Sequence, residues 1–172
     1  MPRLNLQHTR LVLSQCFLHR LPAHWSVTLA DFKRNALFYF GVFWLVQILL
    51  IGDPAEAFVA TASELCLSLA FVFAVLGLNG RREAFLPTAT LVMGAVGWIG
   101  LLAIPVLVWL RLAEDLELVV AFYTSWVFVA WGIVVLGHIF RQALARAPSF
   151  GFGLACAYAV ETYLGTLVLL VL

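Results

Sequence analysis

The chain has 172 residues, of which 64% are hydrophobic and only 11% charged, with a formal net charge of +1. A soluble domain carries about 25% charged residues, so a water-exposed surface of this size could not be covered with polar groups, and a bilayer is the solvent this composition fits. The near-neutral charge also excludes the broad basic field that nucleic-acid binding requires.

The first 27 residues are mixed and basic, without the short apolar core of a cleavable signal peptide. Arg3, Gln7, Arg10 and Ser14 recur at helical spacing between two leucine-rich stripes. That pattern fits a helix lying on the inner membrane surface, or a loosely ordered arm that meets a partner, and Pro22 should end any such helix.

Five apolar runs then follow, each close to the ~20 residues a spanning helix needs. The first covers about 29–51; Thr28 and Asp31 form a capping box before it, and Gly52 follows its last apolar turn. The second covers about 54–78, with Asp53 as N-cap, Pro54 in the first helical position and Asn79-Gly80 as its stop. A tight antiparallel hairpin of these two spans is expected. The third covers about 87–110, with Pro105 expected to bend it. The fourth, about 116–140, follows the acidic group Glu114, Asp115 and Glu117, and the fifth, about 150–172, follows Pro148-Ser149. The expected fold is an all-α, five-helix transmembrane bundle.

Orientation follows from the basic residues. With five spans, Arg3, Arg10, Arg20, Lys33, Arg34, Arg81, Arg82, Arg141 and Arg146 share one side, and only Arg111 lies on the other. Asp53, Glu56, Glu114, Asp115 and Glu117 gather opposite them. An added or missing span would scramble this division. The expectation is a cytoplasmic N-terminus, an outward C-terminus and residence in a bacterial inner membrane.

Two carboxyls are costly under this topology. Glu64 and Glu161 fall near the middle of their spans, where a carboxyl normally faces protein or a water-filled cavity. Ala57, Ala60, Glu64 and Ser68 share one face of the second span. Gly153, Ala157, Glu161 and Gly165 form a small-residue stripe on the fifth, which predicts a packing face. Either the two carboxyls meet and relay a proton, or each is a structural acid hydrogen-bonded to a neighbouring helix. Gln47, Thr124, Ser125 and Tyr163 are the other polar residues within the spans noted as possible partners.

His138 and Arg141, three residues apart at the end of the fourth span, form with Arg81 and Arg82 a candidate contact for lipid headgroups or an acidic partner. A snorkelling Arg141 beside a boundary histidine is the alternative. Gly94, Gly97 and Gly100 give the third span a narrow packing face. Cys16, Cys66 and Cys156 are too scattered for a disulfide framework or a metal site. No HExxH, GxSxG, P-loop or GxGxxG motif is present, so neither catalysis nor a cofactor is expected.

Five spans, a basic N-terminal arm, Arg81-Arg82 before Phe85-Leu-Pro-Thr and the Gly137-His138-Ile139 ending together resemble the bacterial relatives of the Yip-type multispanning membrane proteins. The Asp-Leu-Tyr-Gly-Pro motif of the eukaryotic members is missing, so their trafficking role does not carry over. The resemblance implies an embedded adaptor, scaffold or assembly subunit that contacts membrane lipids and other membrane proteins or itself. A small transporter or channel subunit using Glu64 and Glu161 is the competing expectation.

Overall fold

The structure, a computed structural model, describes residues 12–19 and 27–171, with side chains through 168. Five long helices account for most of it: α1 Leu29–Ile51, α2 Pro54–Leu78, α3 Phe85–Leu112, α4 Asp115–Leu144 and α5 Pro148–Val171, and no strand occurs among the described residues. At 1.5 Å per residue they measure roughly 35–45 Å, against about 30 Å for a hydrocarbon core. All five are long and apolar enough to cross a membrane. The bundle has two ends of different charge: a basic end holding Lys33, Arg34, Arg81, Arg82, Arg141 and Arg146, and an acidic end holding Asp53, Glu56, Glu114, Asp115 and Glu117.

Local chemistry sets the helix boundaries. The Thr28 hydroxyl accepts from the Asp31 N–H at 3.2 Å, and Asp31 accepts in return from the Thr28 N–H at 3.1 Å. Two donors that a helix start leaves without partners are thereby satisfied. Gly52, at φ +89°, closes α1 in the left-handed region. The Asp53 carboxylate then accepts from the Ala55 and Glu56 N–H groups at 2.7 and 3.1 Å. Gly80, at φ +68°, plays the matching part after α2, where the short 3₁₀ turn Arg82–Ala84 leads into α3. Helices α3 and α4 overrun the expected spans because hydropathy marks only their lipid-buried parts, while polar ends such as Arg111 and Gln142 continue the helix. α3 runs through Pro105 as one helix.

The helices close into a ring. α1 lies between α2 and α3, α4 between α3 and α5, and α5 returns to α2; α3 also touches α2 across the ring. The basic-end half of α3 is the centre of the molecule, and every residue from 88 to 95 is buried. A helix buried on all sides must accept neighbours closely all round, which explains its small residues. A Cβ on Gly97 would lie 2.9 Å from the Phe38 ring, one on Gly100 would lie 3.1 Å from Phe43, and one on Gly94 would come within 2.6 Å of both Val12 and Asn35.

The small-residue stripe on α5 is placed differently from expectation. Gly153 and Ala157 are exposed, and a Cβ on Gly153 would meet nothing within 4 Å. The buried face is Gly151, Ala155, Tyr158 and Thr162. A line drawn every four residues drifts around a 3.6-residue helix, so the stripe cannot remain on one contact. The helix rotation is fixed by Gly151, where a Cβ would overlap the Gly137 carbonyl oxygen of α4. Gly165 does pack, with its Cβ position 2.7 Å from Leu67.

Residues 12–16 form a short helix against this ring. Val12, Gln15 and Cys16 are buried, and the Trp131 indole N–H of α4 donates to the Cys16 carbonyl at 2.9 Å. The segment ends well before Pro22, which lies outside the described residues. The Leu18 N–H bonds the Gln15 carbonyl and the His19 N–H the Ser14 carbonyl, with Leu18 left-handed at φ 61°.

Candidate functional site

A polar cluster occupies the middle of the spans where α1, α2 and α5 meet. Glu64, ten residues into α2, is half-buried, and both of its oxygens are engaged. The Tyr39 hydroxyl of α1 donates to Oε1 at 2.9 Å, and the Gln47 amide, also of α1, donates to Oε2 at 3.3 Å. One turn further along α2, the buried Ser68 hydroxyl shares a 2.7 Å hydrogen bond with the Tyr158 hydroxyl of α5. The Tyr39 hydroxyl also lies within interaction reach of Ser68 and Tyr158. The cluster thus links three helices through side chains that would each be costly alone in lipid.

Glu161 approaches the cluster without completing it. Tyr158 lies within electrostatic reach of both carboxyls, but no hydrogen bond joins Glu64 to Glu161. One carboxyl oxygen of Glu161 is buried without a partner, as is the Thr166 hydroxyl on the same helix. Of the other polar residues noted in the sequence, only Gln47 joins the cluster. Thr124 and Ser125 donate to their own helix's carbonyls at 2.7 Å, and Tyr163 is exposed.

Sequence reasoning missed Tyr39, Ser68 and Tyr158 as partners because two are aromatic and one is small, and each reads as ordinary packing in an apolar run. A signal was present for Tyr39. In a hairpin turning at Gly52-Asp53, Tyr39 lies 13 residues before Gly52 and Glu64 lies 11 after Asp53, so the two fall within one helical turn of the same depth.

The basic-end residues divide. His138 Nε2 is 3.2 Å from the His19 carbonyl oxygen; a carbonyl only accepts, so Nε2 carries the proton. Gln142 donates to the Gln15 side chain at 3.2 Å. These two contacts, with the Trp131 bond, fasten the N-terminal segment to α4. Arg141 is exposed beside a cavity of about 240 Å³. Arg81 and Arg82 sit in the α2–α3 connection; Arg82 lies near Gly77. Cys16, packed against α3, has its thiol 3.8 Å from both the Val12 and Ala95 carbonyls, and burial pushes that thiol up to about 11.

Arg111, the one Lys or Arg at the acidic end among the described residues, reaches across to α1 and donates to the Ile48 and Leu49 carbonyls at 3.1 and 2.9 Å. It supplies a positive charge and two donors where a helix C-terminus has free acceptors. Among the described residues, no group of three or more His, Cys, Asp or Glu side chains is placed to hold a metal ion.

The fold and its internal cluster define an all-helical, multi-pass membrane protein. No family model, curated protein or solved structure matches the chain.

Proposed function

We propose that the chain is a non-catalytic inner-membrane protein, with its N-terminus in the cytoplasm and its C-terminus outside, that serves as an adaptor or assembly subunit for other membrane proteins. The observation that carries this reading is the acidic-end half of α4. From 115 to 130 only Ala121 is buried, with Thr124, Ser125 and Phe128 partly buried on its side, while Leu118, Val119, Phe122, Tyr123, Trp126 and Val127 form a broad exposed face. A helix that only closed its own ring would bury more than one residue over four turns. The half that projects offers aromatic side chains of the kind that dominate contacts between proteins. The satisfied state of Glu64 agrees, because a carboxyl held by two fixed donors suits a structural part.

Orientation draws support from the division of basic residues and from Arg111, whose position is explained locally by the α1 carbonyls. Phosphatase fused after Leu172 should be active, and fluorescence from a cytoplasm-dependent reporter at that point would reverse the topology.

A photoreactive amino acid at Tyr123 or Trp126 tests the adaptor role in cells. Both positions should cross-link to the same membrane protein, and exposed Leu37 on α1 should not. Cross-links to lipid alone, or the same products from all three positions, would sink the proposal.

A second reading, a small transporter or channel subunit, is favoured by the unpartnered buried oxygen of Glu161 beside Tyr158. It requires that Glu64→Gln and Glu161→Gln each abolish function, whereas an adaptor tolerates both because an amide keeps the shape and most of the hydrogen bonding.

A further inference from the structure

The cavity at the basic end is a groove between α4 and α5, and its chemistry changes with depth. Gly137 forms its floor, where the backbones of the two helices touch beside Gly151. On α4, Arg141, His138 and Val134 succeed one another along the groove by three and then four residues, a descent of about 10 Å. On α5, Pro148 lies at the mouth and Phe152 one turn deeper. The third side is Leu18 of the docked N-terminal segment. The Arg141 cation therefore sits at the mouth, and apolar walls extend toward the middle of the membrane.

We propose that this groove holds one anionic phospholipid, with the phosphate at Arg141 and the start of an acyl chain against Val134 and Phe152. The charge is complementary: no carboxylate lines the groove, and the Arg141 guanidinium has no hydrogen-bond or ion-pair partner among the described residues. Arg146, one turn beyond, adds a second positive charge at the same surface, its guanidinium 5.9 Å from the Phe150 ring centre. A guanidinium matches a phosphate's oxygens geometrically as well as in charge.

The size also fits. About 240 Å³ equals roughly eight waters at ~30 Å³ each, enough for a phosphate with its glycerol but not for a whole lipid. The chains would stay in the bilayer.

The site is formed before any ligand arrives. Leu18 is held in a left-handed conformation, at φ 61°, that an L-residue rarely adopts. The contacts from His138, Gln142 and Trp131 to the segment hold it there. The inference requires only that the basic end lies at a leaflet surface, and it stands apart from the adaptor role.

Native mass spectrometry of the intact purified chain, with phosphatidylglycerol or phosphatidylcholine added to the detergent, tests it. One phosphatidylglycerol should be retained and phosphatidylcholine should not. Arg141→Gln should lower retention about fivefold or more, since a basic residue at an anionic surface contributes about 1 kcal/mol. Val134→Trp fills the deep part of the groove from an exposed position and leaves the charge unchanged, so it should lower retention similarly. Arg82→Gln, outside the groove, should not. Equal retention of the two lipids, or wild-type retention in both groove variants, would overturn the proposal; the first of these would leave Arg141 as a snorkelling cation. Displacement by millimolar inorganic phosphate would reassign the groove to free phosphate and also overturn the lipid assignment.

Discussion

Replacing Gly151 by alanine adds one methyl group where α4 and α5 have no room for it. The new Cβ would overlap the Gly137 carbonyl oxygen and stand 3.0 Å from the Arg141 amide nitrogen. Both are backbone atoms, so no rotamer change relieves the contact and the helices must part by roughly an ångström. Overpacking of this kind costs up to about 3 kcal/mol. Alanine's better helix propensity offsets about 1 kcal/mol, leaving a net loss of about 2 kcal/mol. For a chain of this length that is a fall in Tm of roughly 4–8 °C. Gly153→Ala is the matched control: the same methyl, two residues on, meets nothing within 4 Å and should leave Tm unchanged or raise it by a few degrees. Thermal unfolding in mild detergent, followed by circular dichroism, measures both. Equal losses, or a larger loss for Gly153→Ala, would show that α5 is rotated from the orientation described and would refute the reasoning about its packing face.

Tyr39→Phe and Glu64→Leu, combined in a double-mutant cycle, should give a coupling energy of about 0.6 kcal/mol, the average for polar contacts between membrane helices, and at most about 1.7 kcal/mol; a coupling near zero removes their bond as a link between α1 and α2. Arg111→Met should cost about 1 kcal/mol, because two α1 carbonyls lose a charged donor, and an unchanged unfolding curve would mean that water replaces it fully. Cys16, in a chain with Cys66 and Cys156 changed to alanine, should resist alkylation until the pH nears 11, whereas the unfolded chain reacts from about 9 upward. Because the folded thiol holds its proton across that window and the unfolded one does not, stability should fall as pH rises through it. Rapid labelling of the folded chain at pH 9 would contradict the burial of Cys16.

The way the chain encodes this fold is uneven. Helix starts and stops are written locally, in Thr28 and Asp31, in Asp53 and Pro54, and in the glycines at 52 and 80, because caps and left-handed turns need only neighbours in sequence. Glu64 and Glu161 were legible as costly residues for an equally simple reason: depth follows from counting along a span. Their partners were not, apart from Gln47. Tyr39, Ser68 and Tyr158 come from three different helices, and hydropathy gives no sign that a tyrosine's hydroxyl rather than its ring matters. The basic residues at 138 and 141 were visible too, yet their division between a bond to the docked segment and an open groove was not.

The sequence by itself determined that the chain is a set of five apolar helices with sorted charges, since span length, punctuation and loop charge are one-dimensional properties. Only the tertiary structure decided which neighbour each helix takes and how far each is rotated about its axis. That rotation separates Gly151 from Gly153, and the ring order brings Tyr39 and Tyr158 to Ser68. It also docks residues 12–19 against α4, which completes the groove. A helical period of 3.6 residues leaves several faces open to a lipid-compatible surface, and only close contacts between backbones choose among them.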